Sequence, residues 1–520
     1  MYIMNESETT HELTEFLQLL SLDDQAIDES EVNNTPVFTE AVRQSALAGE
    51  AKDGSGLTQY GLLGADVPKL RGYKVVDGAP SQQAPFIYYN IKAPSSVFIC
   101  GSQGSGKSHT LSCLLENFLI PSQANRLPEP LTGIVFHFDP FLSEDRGNPC
   151  EAAYLSSHPQ VKVRVLCPPT NVGPIKRAYK GLPNVDVQEL RLGQGSLTTR
   201  RMLDLMAVSP GPDGSLPLYC QIVIRILRDL RIKQQLSGGG FNYGEFKQEL
   251  SRQNLTPGQK GPLEQRLDTL ESFMAKEDVE GRLRTVCANK TATTWMPKAG
   301  HLTIVDLSCP TVTAESACAM FNICLSLFLE QDTLVGRVVA LDEAHKYMTD
   351  GGESQALTEA LLSSIRLQRH LGTRLLIATQ EPTISPKLLD LCSVTIVHRF
   401  SSPAWLETLK RHLAAATAGV ILGTGGYREP VGALMDRIVA LRQGEALLFS
   451  PSAIVDIGNG IMKHGTTQNG QNGCTNGAGS ANGEHDVGTD QRVVHLGQGI
   501  IHIRVRKRIT QDGGKSVMAG

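Results

Sequence analysis

The sequence lacks the features of a membrane-spanning or secreted protein. Its longest apolar run, residues 317–329, is interrupted by Asn322 and Ser326 and is shorter than the roughly 18 residues that a transmembrane helix needs. The first ten residues have neither a basic start nor an apolar stretch, so no secretory signal is expected. We therefore expect an intracellular protein, cytoplasmic or nuclear, with no membrane association.

Cysteine frameworks and aromatic platforms are also missing. The eleven cysteines include no C-x-x-C pair. We interpret them as buried small hydrophobic residues or free thiols of a reducing compartment, not as metal ligands or disulfides. Aromatic residues make up only 5% of the chain, which weakens the case for a surface that stacks nucleic-acid bases.

The charges that are present are distributed unevenly. Residues 1–53 hold twelve Asp and Glu against Arg43 and Lys52, a net charge of −10, so the remaining chain carries +6 of the total of −4. Strongly acidic segments are usually solvated, and residues 1–55 are therefore predicted to be a disordered acidic tail. The mildly basic remainder is compatible with a nucleic-acid partner.

Beyond the tail, the chain divides into a core and flanking segments. Strand-like pieces broken by Gly and Pro predict a short β-rich segment over residues 56–95, and the Asn- and Gly-rich residues 458–488 predict a disordered loop between paired strands. A C-terminal strand and tail are expected at residues 489–520. The core, residues 96–455, alternates strands with helices, and residues 198–275 within it have helical apolar spacing. The predicted fold class is α/β, with a mostly parallel sheet and a helical insertion.

A glycine-rich segment follows the first buried strand of the core. It matches the P-loop pattern G-x-x-x-x-G-K-S and stands between a strand and a helix-like stretch, which is the context that this motif requires. Backbone N–H groups of such a loop surround the phosphates of ATP, while Lys107 reaches the β- and γ-phosphates and Ser108 binds Mg²⁺. The predicted nucleotide-binding residues are Gly101, Ser102, Gln103, Gly104, Ser105, Gly106, Lys107, Ser108 and His109.

Two adjacent carboxylates end another buried strand. Asp342 follows the apolar residues 338–341, and Glu343 comes next. Such a pair is often only a polar turn, but with a P-loop upstream the Asp is expected to face the magnesium ion and the Glu to deprotonate the attacking water. The predicted activity is that of an ATPase of the P-loop NTPase class, with ATP and Mg²⁺ as cofactors.

The following strand ends in Gln380, which we expect beside the strand of Asp342, where an amide can sense the γ-phosphate. The order of the P-loop, the LDEAH strand, the RLQRHLG segment and the IATQEP strand resembles the HerA–FtsK superfamily of ring ATPases over residues 95–455. The resemblance implies a RecA-like core in a homo-oligomeric ring, expected to be a hexamer, that couples ATP hydrolysis to DNA translocation.

The same resemblance assigns two further roles. It implies that Arg369 is an arginine finger acting on ATP in a neighbouring subunit, with Arg366 and Arg399 as reserve candidates and a surface or helix-capping arginine as the alternative. It also implies that Asp139 supports the metal or the water, with a plain turn as the alternative.

Two interpretations stay open beside this one. The alternating residues 501–508 predict a strand with one basic face, which either contacts DNA or is merely solvated. The alternative function is an ATP-driven switch or remodeller that acts on protein partners without nucleic acid.

Overall fold

The structure is a computed structural model of the chain. It describes residues 29–53, 57–73, 84–140, 147–206, 218–275, 292–331, 334–349, 351–413, 416, 420–421, 431–459 and 491–513. The predicted disorder of residues 1–28 and of most of the 458–488 loop lies outside the described residues.

Strand pairing joins all strands of the described residues into one network. The strands are β1 Val37–Thr39, β2 Tyr60–Asp66, β3 Phe86–Asn90, β4 Ser96–Cys100, β5 Asn125–Arg126, β6 Thr132–His137, β7 Lys162–Cys167, β8 Val185–Glu189, β9 His301–Asp306, β10 Arg337–Leu341, β11 Thr373–Thr379, β12 Val394–Val397, β13 Val420–Ile421, β14 Glu445–Phe449, β15 Ile454–Asn459, β16 Gln491–His495 and β17 Gly499–Val505.

Helices connect most of these strands. They are α1 Glu29–Asn34, α2 Glu40–Asp53, α3 Val67–Gly72, α4 Lys107–Leu119, α5 Val172–Tyr179, α6 Thr199–Leu205, α7 Leu218–Ser237, α8 Tyr243–Ser251, α9 Pro257–Phe273, α10 Ala314–Leu329, α11 Gly352–Arg366, α12 Gln368–Leu371, α13 Pro386–Leu391, α14 Pro403–His412 and α15 Val431–Ala440. Short 3-10 turns lie at Glu151–Ser157, Gln194–Ser196, Ala344–Lys346 and Pro382–Ile384.

Parallel strands form the centre of the sheet. Their order is β8-β7-β9-β6-β10-β11-β4-β12. Every residue of β6, β10 and β11 is buried, because successive side chains of each strand enter two hydrophobic clusters, one on either face. This arrangement confirms the predicted α/β class with a mostly parallel sheet.

One strand separates the P-loop strand from the strand that ends in the carboxylate pair. β11 pairs with β4 on one side and with β10 on the other, in register throughout. This insertion is the strand order of RecA-like P-loop NTPases. It brings the carboxyl ends of β4, β11 and β10 to one edge of the sheet, where the predicted site residues follow.

An antiparallel extension continues the sheet beyond β12. It runs through β14, β17, β2, β3 and β1, so the predicted pairing of the two strands that flank the Asn- and Gly-rich stretch is confirmed.

The prediction of disorder is wrong for the described part of the acidic segment. Val37 and Phe38 of β1 are buried, and Glu40 accepts hydrogen bonds from Arg43 and Tyr88, so apolar burial and charge pairing outweigh the acidic composition.

The segment between β8 and β9 is helical, as predicted. Helices α6 to α9 bury Leu and Phe side chains, among them Phe246 and Leu270, in the cluster on one face of the sheet. The run 222–227, whose composition also suits a strand, lies inside α7. Among the described helices, none combines the length and the apolar character needed to cross a bilayer.

The basic C-terminal segment is anchored to α4. Arg506 Nη1 lies 2.7 Å from Glu116 Oε2, with the two side chains 6% and 0% exposed, and the buried Arg508 pairs with Glu151. The prediction of one basic face open to DNA or solvent is therefore wrong for these two arginines, because a buried carboxylate such as Glu116 needs cationic partners. Arg504 remains exposed on the strand.

Candidate nucleotide-binding site

The predicted site residues meet at the carboxyl edge of the parallel sheet. In register, Cys100 of β4 is opposite Thr379 of β11, and Leu341 of β10 is opposite Ile377. The P-loop, Gln380 and the Asp342–Glu343 pair therefore leave neighbouring strands side by side. The structure brings together the residues that the sequence predicted for phosphate binding, metal binding and water activation, with Arg369 as the exception.

The P-loop has a backbone that requires its glycines. Gly101, Gly104 and Gly106 have φ angles of 150°, 72° and 114°, which L side chains rarely adopt. A Cβ atom on Gly101 would also lie 2.7 Å from Cβ of His398. Helix α4 begins at Lys107 immediately after the loop, so the positive end of its dipole adds to the N–H groups that face an anion.

Lys107 folds back onto this loop. Its Nζ donates a hydrogen bond to the carbonyl oxygen of Ser102 at 3.1 Å, and the residue is only 4% exposed. Burial lowers the pKa of Lys107, while the nearby Glu343 and Asp342 carboxylates oppose that shift. An ammonium group held inside an anion-binding loop and facing carboxylates is placed to exchange the Ser102 carbonyl for phosphate oxygens.

A buried histidine supports the loop from β12. His398 donates from Nδ1 to the carbonyl oxygen of Glu445 at 3.0 Å, so its Nε2, 2.9 Å from Oγ1 of Thr110, accepts that hydroxyl's hydrogen. Burial lowers the pKa of His398 to about 4. The imidazole is therefore neutral near pH 7 and ties the P-loop helix to β12 and β14. No sequence motif indicates this role.

Asp342 is buried against two side chains that the sequence analysis missed. Its Oδ2 lies 3.1 Å from Nδ1 of His137 and 3.6 Å from Sγ of Cys150. Burial opposes the charged carboxylate, but these hydrogen bonds lower the pKa of Asp342 overall. Burial raises the pKa of Cys150 to about 11, so it donates as a thiol. His137 ends the strand next to β10, and a parallel alignment of the two predicted strands would have revealed it.

The second oxygen of Asp342 is available to a metal. Oδ1 is buried and has no hydrogen-bond partner within the described part of the chain. The Ser108 hydroxyl, in the first turn of α4, likewise has no hydrogen bond there. A carboxylate and a hydroxyl oxygen are the hard ligands that Mg²⁺ prefers. The predicted pair of metal ligands therefore fits a magnesium ion.

Glu343 has a backbone conformation that is unusual for its residue type. Its φ and ψ angles are 49° and 47°, in the left-handed region, a conformation that costs about 1–3 kcal/mol outside glycine. Its Oε2 accepts a hydrogen bond from Nε2 of Gln380 at 3.3 Å. Backbone strain at a polar side chain that ends a strand points to a position set by function.

His345 is the third side chain of this group. Its Nδ1 lies 3.4 Å from the Gln380 backbone nitrogen and 3.3 Å from Glu343 Oε2. An Nδ1 that accepts from a backbone N–H carries no proton, so it cannot also donate to Glu343 in that state. Burial lowers the pKa of His345, which favours this neutral form. The Glu343 carboxylate is therefore oriented mainly by Gln380.

The remaining predicted residues have different surroundings. Gln103 and Gly104 are exposed at the tip of the P-loop. Nε2 of His109 lies 2.8 Å from the Arg506 carbonyl oxygen, so its ring is engaged with the C-terminal segment. Asp139 forms an ion pair at 3.3 Å with Lys346, which lies in the 3-10 turn that follows Glu343.

Arg369 lies at the opposite edge of the sheet. It is exposed in α12, which precedes the amino end of β11, whereas Gln380 follows the carboxyl end of that seven-residue strand. At about 3.3 Å per residue, the strand alone separates the two by roughly 20 Å. Arg369 therefore cannot reach the phosphate site of its own chain.

No protein-family model matches the chain, and no curated protein sequence matches it significantly. Three solved structures are similar to it over most of their length. VirB4 of Thermoanaerobacter pseudethanolicus is 13% identical, with 73% of this chain and 95% of that chain covered and a TM-score of 0.38. The plasmid coupling protein TrwB, solved with ADP and Mg²⁺, is 13% identical, with coverages of 75% and 91% and a TM-score of 0.39.

The third is the genome packaging NTPase B204 from Sulfolobus turreted icosahedral virus 2, solved with ATP-gammaS. It is 9% identical, with 69% of this chain and 92% of that chain covered and a TM-score of 0.25. One of the three is named an NTPase, and another was solved with ADP and Mg²⁺. The similarities are low, so the assignment of the fold rests on the strand order and the P-loop geometry described above.

Proposed function

We propose that this chain is an ATP hydrolase. The observation that carries the proposal is the position of Glu343. Its carboxylate follows β10, which only β11 separates from the P-loop strand, has a strained backbone conformation, and is oriented by the Gln380 amide at 3.3 Å. A base next to a phosphate-binding loop has an evident role in phosphoryl transfer to water, and a protein that only bound ATP would need neither the base nor the strain.

In this mechanism the P-loop N–H groups and Lys107 hold the triphosphate and take up charge that develops on the γ-phosphate. Ser108 and the free Oδ1 of Asp342 would hold Mg²⁺, which when bound supplies charge neutralisation at the β- and γ-phosphates. His137 and Cys150 fix the other oxygen of Asp342, so that the carboxylate presents Oδ1 in one orientation.

Glu343 takes the proton from the attacking water. The water oxygen forms a bond to the γ-phosphorus as the bond to the β–γ bridging oxygen breaks, which gives ADP and phosphate. Gln380 holds Glu343 before the reaction and, as a neighbour of the γ-phosphate position, can exchange that hydrogen bond when the phosphate leaves. This exchange would couple hydrolysis to movement at the end of β11.

We further propose that the chain works as a homo-oligomeric ring, with a hexamer as the expected form, and moves DNA. The position of Arg369 supports this step. An exposed arginine at the sheet edge opposite its own P-loop is available to the ATP of a neighbouring subunit, where a guanidinium would stabilise the transferred phosphoryl group. The neighbouring structures named above include coupling and packaging proteins, and DNA translocation by this chain is an extension from that group.

The second candidate is an ATP-driven switch that acts on protein partners. The burial of Arg506 and Arg508 in ion pairs favours it, because these residues were the main candidates for contact with DNA phosphates. Hydrolysis of ATP is common to both functions. They differ only in whether the resulting conformational change moves DNA or acts on a protein partner.

Phosphate release by the purified chain with ATP and Mg²⁺, with and without double-stranded DNA over a range of salt concentrations, tests the proposal. A DNA translocase predicts stimulation that declines steeply with salt. Turnover without any DNA stimulation would support the switch. The size of the particle in the same buffers, by light scattering, tests the ring: a monomer in every condition would remove the role of Arg369.

A further inference from the structure

A second pocket lies at the sheet edge opposite the P-loop. It has a volume of about 650 Å³ and is lined by the amino ends of β7 and β9, by β8 and by residues 294–298. This volume is within the range of small-molecule sites. The six-residue strand β7 places this edge roughly 17 Å from the carboxyl edge, so the pocket is separate from the nucleotide site.

The pocket concentrates positive charge. Lys162, Arg164 and Lys298 line it together with His301, against a single acidic lining residue, Asp186. The two lysines are exposed and have no ion-pair partner among the described residues. Surface lysines are common, but cations gathered in a concave site raise the local concentration of anions.

Arg164 is held in place without a carboxylate bonded to it. Its Nη1 donates to the Thr294 carbonyl oxygen at 2.8 Å, and its Nη2 donates to Oγ1 of Thr303 at 3.1 Å. Burial lowers the pKa of Arg164, and the Asp186 carboxylate opposes that shift. Burial also lowers the pKa of His301, and the positive charges of Lys298, Lys162 and Arg164 lower it further. The guanidinium is therefore pre-positioned, and its charge is not neutralised by a direct ion pair within the described structure.

The wall of the pocket has an aromatic side chain with an unused donor. Trp295 lines the pocket and is 6% exposed. Its Nε1–H is buried and has no hydrogen-bond partner among the described residues, a cost of about 1–3 kcal/mol that native proteins seldom carry without a reason. Next to it, Met296 is 59% exposed. Apolar surface and an unpartnered donor thus adjoin the cationic groups.

We propose that this pocket binds a phosphate-bearing ligand of nucleotide size, with the phosphate at Lys162, Arg164 and Lys298 and the planar, less polar part against Trp295 and Met296. The ligand is either a free nucleotide or one nucleotide unit of a single strand, since both present the same groups. The proposal does not depend on ATP hydrolysis at the P-loop.

Trp295 provides the readout. The chain has two tryptophans, Trp295 and Trp405, and Trp405→Phe keeps an aromatic ring against Phe400 while leaving Trp295 as the only tryptophan. In this variant, AMP and a short single-stranded oligodeoxynucleotide are titrated separately. At least one of them is expected to change the Trp295 emission saturably, and the response is expected to persist with Lys107→Ala, which disables the other site.

A double variant and a matched control decide the result. The double variant Lys162→Ala and Lys298→Ala should weaken the apparent affinity for the responding probe at least about tenfold. The control Lys180→Ala removes an exposed lysine outside the pocket lining and should leave that affinity unchanged. Saturation by AMP identifies the free nucleotide as sufficient, and saturation by the oligonucleotide alone identifies the strand. The absence of a saturable change with both probes, or equal losses in the double variant and the control, would overturn the proposal.

Discussion

Nε2 of Gln380 donates a hydrogen bond of 3.3 Å to Oε2 of Glu343, which joins the ends of the two strands that flank the proposed γ-phosphate position. The side chains come from positions 37 residues apart and meet because β11 and β10 are parallel neighbours. The proposed catalytic base is thus oriented by the residue that we propose senses the γ-phosphate.

This contact predicts a selective effect of Gln380→Ala. The base loses its orientation but the P-loop is unchanged, so kcat is expected to fall about 10- to 100-fold while the affinity for ATP changes little. Steady-state phosphate release and equilibrium binding of a fluorescent ATP analogue measure the two quantities. Gln355→Ala, an exposed glutamine of α11, serves as the control and should change neither. An equal loss of binding and turnover would assign Gln380 to nucleotide binding instead.

The left-handed conformation of Glu343 predicts an exchange of stability against activity. Glycine adopts this conformation freely, so Glu343→Gly relieves the backbone strain. This relief should offset the greater flexibility of glycine in the unfolded chain, so the variant is expected to be at least as stable as the parent chain while its turnover is lost. The matched control is Gln355→Gly in α11, where the residue's N–H bonds the Gly351 carbonyl oxygen, and it should lower the free energy of unfolding by about 1 kcal/mol. Chemical denaturation measures both. Destabilisation of the Glu343 variant as large as in the control would mean that no strain is stored there.

His398 predicts a loss of stability in mild acid. Its pKa is about 4 in the folded protein, below the value of about 6.5 for an unfolded chain. Between these values the unfolded state binds a proton that the folded state does not, so the free energy of unfolding should fall by up to about 1.4 kcal/mol per pH unit as pH drops. Above pH 6.5 the residue has no such effect.

Denaturation at several pH values compares the parent chain with His398→Asn. The variant should be less stable at pH 7.5, because the bonds to Thr110 and Glu445 are altered, but its stability should vary less between pH 6.5 and pH 4. Parallel pH profiles would show that His398 is not the titrating group.

Arg369 predicts complementation between two inactive variants. Arg369→Ala lacks the proposed finger but keeps its base, and Glu343→Gln lacks the base but keeps its finger. Each alone should lose at least about 100-fold in turnover, whereas mixed rings contain sites with both groups and should recover part of the activity. Arg411→Ala, at an exposed arginine of α14, is the control and should be active alone. If the two variants are shown to exchange subunits and the ATPase activity still does not recover, Arg369 acts elsewhere.

The buried pair of Glu116 and Arg506 predicts that the C-terminal segment is structural. Arg506→Ala removes the nearest cation from a fully buried carboxylate, which keeps hydrogen bonds from Ile509 and Thr510, and should reduce the free energy of unfolding by about 3 kcal/mol. Arg504→Ala, at a side chain 55% exposed two residues earlier in the chain, should cost less than about 1 kcal/mol. Thermal and chemical denaturation measure the difference. Equal, small effects would contradict the structural role.

Local sequence signals identified the parts of the site that are contiguous in the chain. The P-loop and the Asp342–Glu343 pair each have a fixed spacing after a buried strand, and β11 could be identified from its apolar run. His137, Cys150 and His398 were missed because they reach the site only through strand pairing and packing across the sheet. The segment 29–53 was misjudged for a related reason: its charge suggested disorder, but β1 gains its stability from partners in β3 and β15.

The most direct test of the account compares Lys107→Ala and Glu343→Gln for ATP binding and single-turnover hydrolysis in the presence of Mg²⁺. If the P-loop grips the phosphates and Glu343 activates water, the lysine variant loses binding, and the glutamine variant retains ATP but does not cleave it. Full turnover in either variant would contradict the assignment of this site.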